Sequence, residues 1–138
     1  MLQDCNPLVV NSEVMEKIEI ARSAGTGSEA TILRIQGPLT LQTLFDFQSA
    51  IRQTDLGDTI IDLGGVPYID SAGLGVILSH WAHTQRTGAK FAVVGIRERV
   101  QVLFNLTKVG TVLPCFATAE EAERNFSANA GAASAKSV

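Results

Sequence analysis

The chain is poor in the residues that most often carry chemistry. It has two cysteines, Cys5 and Cys115, at opposite ends of its 138 residues. They form no C-x-x-C pair and no zinc spacing, which argues against a disulfide framework and a structural zinc and for two reduced thiols in a cytoplasmic protein. Its two histidines, His80 and His83, stand three apart with no H-E-x-x-H and no third ligand, so no metal is expected. Basic residues are scarce: Lys plus Arg number 11 against 14 Asp plus Glu, a net charge of -3. The basic footprint of a nucleic-acid or anionic-lipid binder is missing. Aromatics make up 6% and form no series on which bases could stack, so Tyr68 and Trp81 read as packing residues. No apolar run approaches the roughly 20 residues of a membrane span. Met1 to Val10 has no basic start and carries Asp4, unlike a secretion signal. What remains is 46% hydrophobic and 18% charged, the composition of one folded domain.

Residues 1–13 are aperiodic and are expected to be mobile, and 127–138, almost all Ala, Ser, Asn and Gly, to be a disordered tail. The domain between them, 14–126, is regular. Val14 to Ala21 and Ala30 to Gln36 read as strands joined by a turn holding Gly25 and Gly27, a hairpin. Strands and helices then alternate. Thr40 is placed to cap a helix over Leu41 to Thr54, with Leu41, Leu44, Phe45, Gln48 and Ile51 at helical spacing. Asp58 to Leu63 is a buried strand, Ser71 to Thr87 a helix closed by Gly88, and Lys90 to Gly95 a strand. Arg97 to Leu106 is a helix, Thr111 to Phe116 a short strand, and Thr118 caps a helix over Ala119 to Phe126. Such alternation implies parallel strands and right-handed crossovers. The expected architecture is α/β: a single mixed sheet of about five strands, led by an antiparallel hairpin, with about four helices packed on it.

The most unusual stretch runs from Ile60 to Leu78. A buried strand ends at Leu63, a Gly64-Gly65-Val66-Pro67 loop follows, and Asp70-Ser71 opens an apolar helix. Ser71 is placed as its N-cap. Leu74, Ile77, Leu78 and Trp81 share the inward stripe, which leaves Ala72, Val76, Ser79 and His83 outward, with His80 beside them. Gly73 and Gly75 each cost roughly 1 kcal/mol against Ala in a helix. Close packing on the sheet explains such glycines; so does bare backbone that lets a partner approach Ser71.

Ile61-Asp62-Leu63 with Ile69-Asp70-Ser71-Ala72-Gly73-Leu74-Gly75 resembles the phosphorylation motif of STAS domains, and in particular that of the stand-alone anti-sigma factor antagonists of bacteria. Gly37-Pro38-Leu39, Val93-Val94-Gly95 and the Val100, Phe104, Leu113 pattern extend the resemblance over Ala30 to Phe126. It implies a cytoplasmic, non-enzymatic regulator without a cofactor. The serine at position 71 would be phosphorylated by a serine kinase that is also the anti-sigma factor. The unphosphorylated form would bind that kinase and release a sigma factor for transcription, and a serine phosphatase would reset it. The expected docking surface is Asp70, Ala72, Gly73, Val76, Ser79 and His83, together with Thr40. Many family members carry Asp where this chain has Thr40, and a second Ser where it has Ala72; the former keeps open a non-switching STAS subunit of a stress-signalling or lipid-transport complex.

Small-ligand binding or catalysis finds less support. Ile69-Asp70-Ser71-Ala72-Gly73 lacks the first glycine of G-x-S-x-G, and both histidines lie at least two turns along the same helix. Gly64-Gly65 and Gly73-Leu74-Gly75 have no P-loop lysine and no third glycine of a dinucleotide loop. Asp62 and Asp70 read as loop and cap residues rather than an acid–base pair.

Overall fold

The structure, a computed structural model, describes residues 17–26, 28–53 and 57–136, with side chains described through Ser127. The segment expected to be mobile, 1–13, lies outside the described residues.

β1 (Glu19–Ala24) and β2 (Thr31–Gln36) form the antiparallel hairpin. β3 (Thr59–Gly65), β4 (Phe91–Val94) and β5 (Cys115–Phe116) add in parallel, so the sheet order follows the chain, β1-β2-β3-β4-β5. Four helices connect and close it: α1 (Leu44–Arg52), entered by a 3-10 turn at Leu41–Thr43, α2 (Ser71–Thr87), α3 (Glu98–Thr107) and α4 (Ala119–Lys136). This is the expected mixed sheet with helices on it.

The pleat divides the core. Leu33, Ile61 and Val93 are register partners on one face and are buried against Phe47, Ile51, Leu74, Ile77, Val100 and Phe104 of α1 to α3. Ile32, Ile60 and Ala92 point the other way, to Ala119, Ala122 and Phe126 of α4. β3 and β4 are covered on both faces, which is why they read as unbroken apolar runs.

Several expected boundaries move. β1 begins at Glu19 and runs on to Ala24, later than Val14 to Ala21, of which 14–16 fall outside the described residues. Val109–Thr111 is a second 3-10 turn, entered through left-handed Lys108 (φ 61), so β5 keeps only Cys115 and Phe116. Pro114 has no amide to donate to a ladder; its carbonyl accepts from the Val93 amide at 2.9 Å. α4 keeps a helical backbone through Lys136, where the sequence predicts a disordered tail from 127. The alanines of this stretch are strong helix formers, so a segment with no apolar stripe still continues the helix begun upstream. Gly88 (φ 81) closes α2, and Thr118 Oγ1 accepts from the Glu121 amide at 3.2 Å, both as expected.

The inward face of α1 differs from the predicted one. Thr43, Phe47 and Ile51 are buried, whereas Leu41 is 67% and Phe45 76% exposed. Of the predicted set Ile51 is buried and Leu44 and Gln48 are half-buried, while Phe45, two residues before Phe47 in the same helix, falls on the opposite side.

Candidate functional site

The chain leaves β2 through Gly37-Pro38-Leu39 and leaves β3 through Val66 to Ile69, and these exits pair with each other. The Leu39 amide donates to the Tyr68 carbonyl (3.1 Å), the Asp70 amide donates to the Leu39 carbonyl (3.0 Å), and Leu39 and Ile69 form a parallel bridge. The two helical segments that follow therefore begin side by side.

Asp70 joins them. Its backbone is extended (φ -105, ψ -176), and its Oδ1 accepts from the Gly73 amide at 3.0 Å. Its Oδ2 accepts from the Leu41 amide at 3.1 Å. One carboxylate thus takes a first-turn amide from α2 and another from the 3-10 turn. The N-cap of α2 is Asp70 and not, as predicted, Ser71. Ser71 is the first helical residue, exposed, and its hydroxyl makes no hydrogen bond among the described residues. Aspartate and serine are near-equal caps, so the sequence alone ranks neither above the other.

The glycines separate into two kinds. A Cβ on Gly73 would stand 2.6 Å from the Leu39 carbonyl oxygen, so this residue is bare because two backbones meet there. A Cβ on Gly75 would meet nothing within 4 Å. Packing explains Gly73 and leaves Gly75, exposed one turn after Ser71, without an intramolecular reason. Thr40 is 8% exposed and sits inside the junction. Its hydroxyl accepts from the Gln42 amide (3.3 Å), while its own amide donates to Thr43 Oγ1 (3.0 Å), a capping box.

The outward face of α2 is partly as predicted. Ser79 is exposed, and Ala72 and His83 are half-buried. Val76 is buried, at 9% exposure, so it belongs to the core rather than to the outer face. The exposed line is Ser71, Gly75 and Ser79, at i, i+4 and i+8. Of the predicted inward stripe, Leu74 and Ile77 are buried while Leu78 and Trp81 are half-buried. Val76, Ser79 and His83 do meet, as one wall of a groove of about 270 Å³ whose other wall is Gln48, Ile51 and Arg52 of α1. Helical spacing within α2 carries no information about which helix lies beside it, so the α1 wall was not foreseeable from the sequence.

His80 is buried, and it lines the same groove as Ser79 and His83, beside them as expected. Its Nε2 lies 3.3 Å from Thr59 Oγ1, and its ring meets Phe91 edge-on with centroids 5.5 Å apart. Thr59 Oγ1 spends its proton on the Gly57 carbonyl (2.8 Å), so Nε2–H is the donor to it. Burial, and secondarily the neighbouring His83, hold the His80 imidazole below its ordinary value, which keeps it neutral. Burial pushes the Cys115 thiol up, away from thiolate reactivity. Among the described residues no group of three or more His, Cys, Asp or Glu could hold a metal ion. None of their helices is long and apolar enough to cross a membrane.

Against this geometry stand the comparisons with known proteins. The family model for the STAS domain matches residues 17–122. A crystal structure of a protein assigned as an anti-sigma factor antagonist from Thermotoga maritima is 23% identical and superposes with a TM-score of 0.71, covering 77% of this chain and 92% of that one. An anti-sigma factor antagonist from Mycobacterium paratuberculosis is 20% identical, with a TM-score of 0.68 over 76% of this chain and 90% of its own. The Bacillus cell-fate determinant SpoIIAA, in its phosphorylated form, is 17% identical, with a TM-score of 0.60 over 78% of this chain and 99% of its own. At these identities the structural likeness is one of fold.

Proposed function

The chain belongs to the STAS domain family, and from that premise we propose that it is an anti-sigma factor antagonist whose docking is switched by phosphorylation of Ser71. One observation carries the reading: Asp70 caps α2, so the Ser71 hydroxyl is exposed and free of structural duty at the first turn. The comparisons add support, since one superposable relative exists in a phosphorylated form.

In this reading the partner is an anti-sigma factor that is also a serine kinase. It binds the unmodified chain across Ser71, Gly75 and Ser79, flanked by Ala72 and His83, and thereby gives up its sigma factor. Asp70, Gly73 and Thr40 hold that surface in place from beneath rather than meeting the partner broadside. The kinase moves the γ-phosphoryl group of ATP to Ser71 Oγ, leaving ADP and a proton. A serine phosphatase adds water to the ester and restores the hydroxyl.

The electrostatics favour such a switch. A phosphoserine adds about -1.5 to -2 charge at pH 7. A helix N-terminus tolerates that charge, so the fold survives. A partner closing over it would desolvate an unpaired charge at a cost of several kcal/mol, and about 2.8 kcal/mol is already a hundredfold in affinity.

The test pairs the chain with ATP and purified anti-sigma kinases of its native host, with phosphate mapped by mass spectrometry. Ser71 is the expected site, Ser71→Ala stays unlabelled, and Ser71→Asp keeps its melting temperature while losing the partner. Phosphate found only elsewhere, or Ser71→Ala labelled as well as wild type, overturns the switch and returns the chain to a non-switching STAS subunit.

A further inference from the structure

Leu41 and Phe45 are large, apolar and mostly in water, at 67% and 76% exposure. They sit one turn apart where the 3-10 turn runs into α1. Two features tie them to the Ser71 surface. The Leu41 amide donates to the carboxylate of Asp70, the residue next to Ser71. At i+3 and i+7 from Phe45, within α1 itself, come Gln48 and Arg52, which form the α1 wall of the groove shared with Ser79 and His83. The apolar pair and the α2 face are thus one continuous surface carried by two helices.

The far end of that surface is basic. Arg52 and Arg86 are both exposed, and among the described residues the one ion pair is Arg34 with Asp62, so neither has a carboxylate partner there. Arg86 Nη2 instead meets His83 Nδ1 at 2.9 Å. A self-association through this face would set the same patch, arginines included, against itself. A protein whose surface is apolar opposite Leu41 and Phe45 and acidic opposite Arg52 and Arg86 complements it.

We infer that Leu41 and Phe45 are the anchors of the Ser71 docking surface, seated in an apolar cleft of the protein partner whose rim carries carboxylates facing Arg52 and Arg86. This deepens the function proposed above and rests on it for the identity of the partner. Buried aromatic and arginine anchors dominate the energetics of most interfaces, while small residues such as Gly75 and Ser79 supply fit. The Ser71 hydroxyl then controls the contact, and the α1 pair supplies its hold.

The probe is a purified anti-sigma kinase of the native host, titrated by calorimetry with wild type, Leu41→Ala, Phe45→Ala, Arg52→Glu and Ser71→Asp at low and high salt. Both apolar residues are exposed, so the melting temperatures should match wild type; a Phe45→Gln variant repeats the test with bulk retained. The expected result is at least a tenfold rise in Kd for Phe45→Ala and Phe45→Gln, a smaller rise for Leu41→Ala, and a binding curve for Arg52→Glu that loses much of its salt dependence. Phe45 variants that bind within twofold of wild type, while Ser71→Asp does not bind, overturn the anchors and leave the switch standing. Weak binding by Phe45→Ala with full binding by Ser71→Asp keeps the anchors and removes the switch. Failure of wild type to bind any such kinase removes both. A dimer of the chain alone that dissociates on Phe45→Ala substitution overturns the assignment of the surface to a partner.

Discussion

Gly73 and Gly75 are two residues apart in one helix and obey different constraints. Gly73 faces the Leu39 carbonyl, and Gly75 faces water. Gly73→Ala should destabilise the fold by about 1–3 kcal/mol, since a backbone has to move to admit the methyl. Gly75→Ala should stabilise it by up to about 1 kcal/mol, the helix-propensity difference. Urea denaturation of the two variants separates them, and equal signs would refute the distinction. His80 sets a second test. Its folded value is lowered, mainly by burial, so below the ordinary histidine value the unfolded chain binds more protons than the folded one. The contribution of neutral His80 is therefore complete above about pH 6.5 and falls as pH drops through that value towards the folded one. His80→Gln should lose less stability than wild type between pH 7 and pH 5 when both are unfolded in urea, because the carboxylates titrate alike in each. Identical pH slopes would mean that His80 contributes nothing to the acid response.

Among the elements, the junction of α1 and α2 carries the most consequence. Asp70 serves both, so Asp70→Ala should cost about 1–2 kcal/mol as a lost cap. The more specific sign is in amide exchange: the amides of Leu41 and Gly73, bonded to Oδ2 and Oδ1, should both exchange faster. Acceleration at Gly73 alone would show that α1 does not depend on the shared carboxylate. The burial of Val76 matters for any dissection of the α2 face. Val76→Glu places a carboxylate in the core at a cost of several kcal/mol and would report on folding, not docking. Ser79→Arg alters the exposed line instead. It should leave the melting temperature unchanged and weaken partner binding by at least about 1 kcal/mol, if Ser79 lies in the buried centre of the contact. Full binding by a folded Ser79→Arg chain would take this helix out of the docking surface.

At the scale of the whole molecule, the helices are unequally shared between the faces of the sheet. Three cover one face and α4 alone packs on the other, through Ala119, Ala122 and Phe126. We propose that the independently folding unit ends near Phe126. Removing residues 127–138 should then change unfolding free energy by no more than about 0.5 kcal/mol, as for a surface change. Phe126→Ala, by contrast, should cost about 3–5 kcal/mol. A truncated chain that loses several kcal/mol in denaturant titration would show that the last turns of α4 belong to the core.

Local chemistry makes much of this molecule legible without coordinates. Alternation of short apolar runs with amphipathic stretches determines a mixed α/β sheet, because strands buried on both faces need helices to cover them. Gly88 closes α2 for a reason internal to its own residue, the left-handed backbone that glycine adopts freely. The run from Asp70 to Gly75 marks the candidate site because its residue types are costly or unusual in a helix start. What tertiary structure decided are choices between local equals. Asp70 and Ser71 cap about equally well, and Asp70 is chosen because its second oxygen reaches Leu41, a residue brought near by the pairing of two loops. Leu41 and Phe45 have the apolarity of core residues, and they face water because α1 packs on the sheet through Phe47 and Ile51 instead. Val76 looks solvent-facing on the wheel of α2 alone and is buried because α1 lies beside it. In each case the deciding atom belongs to a different element, and periodicity within one element holds no record of its neighbours.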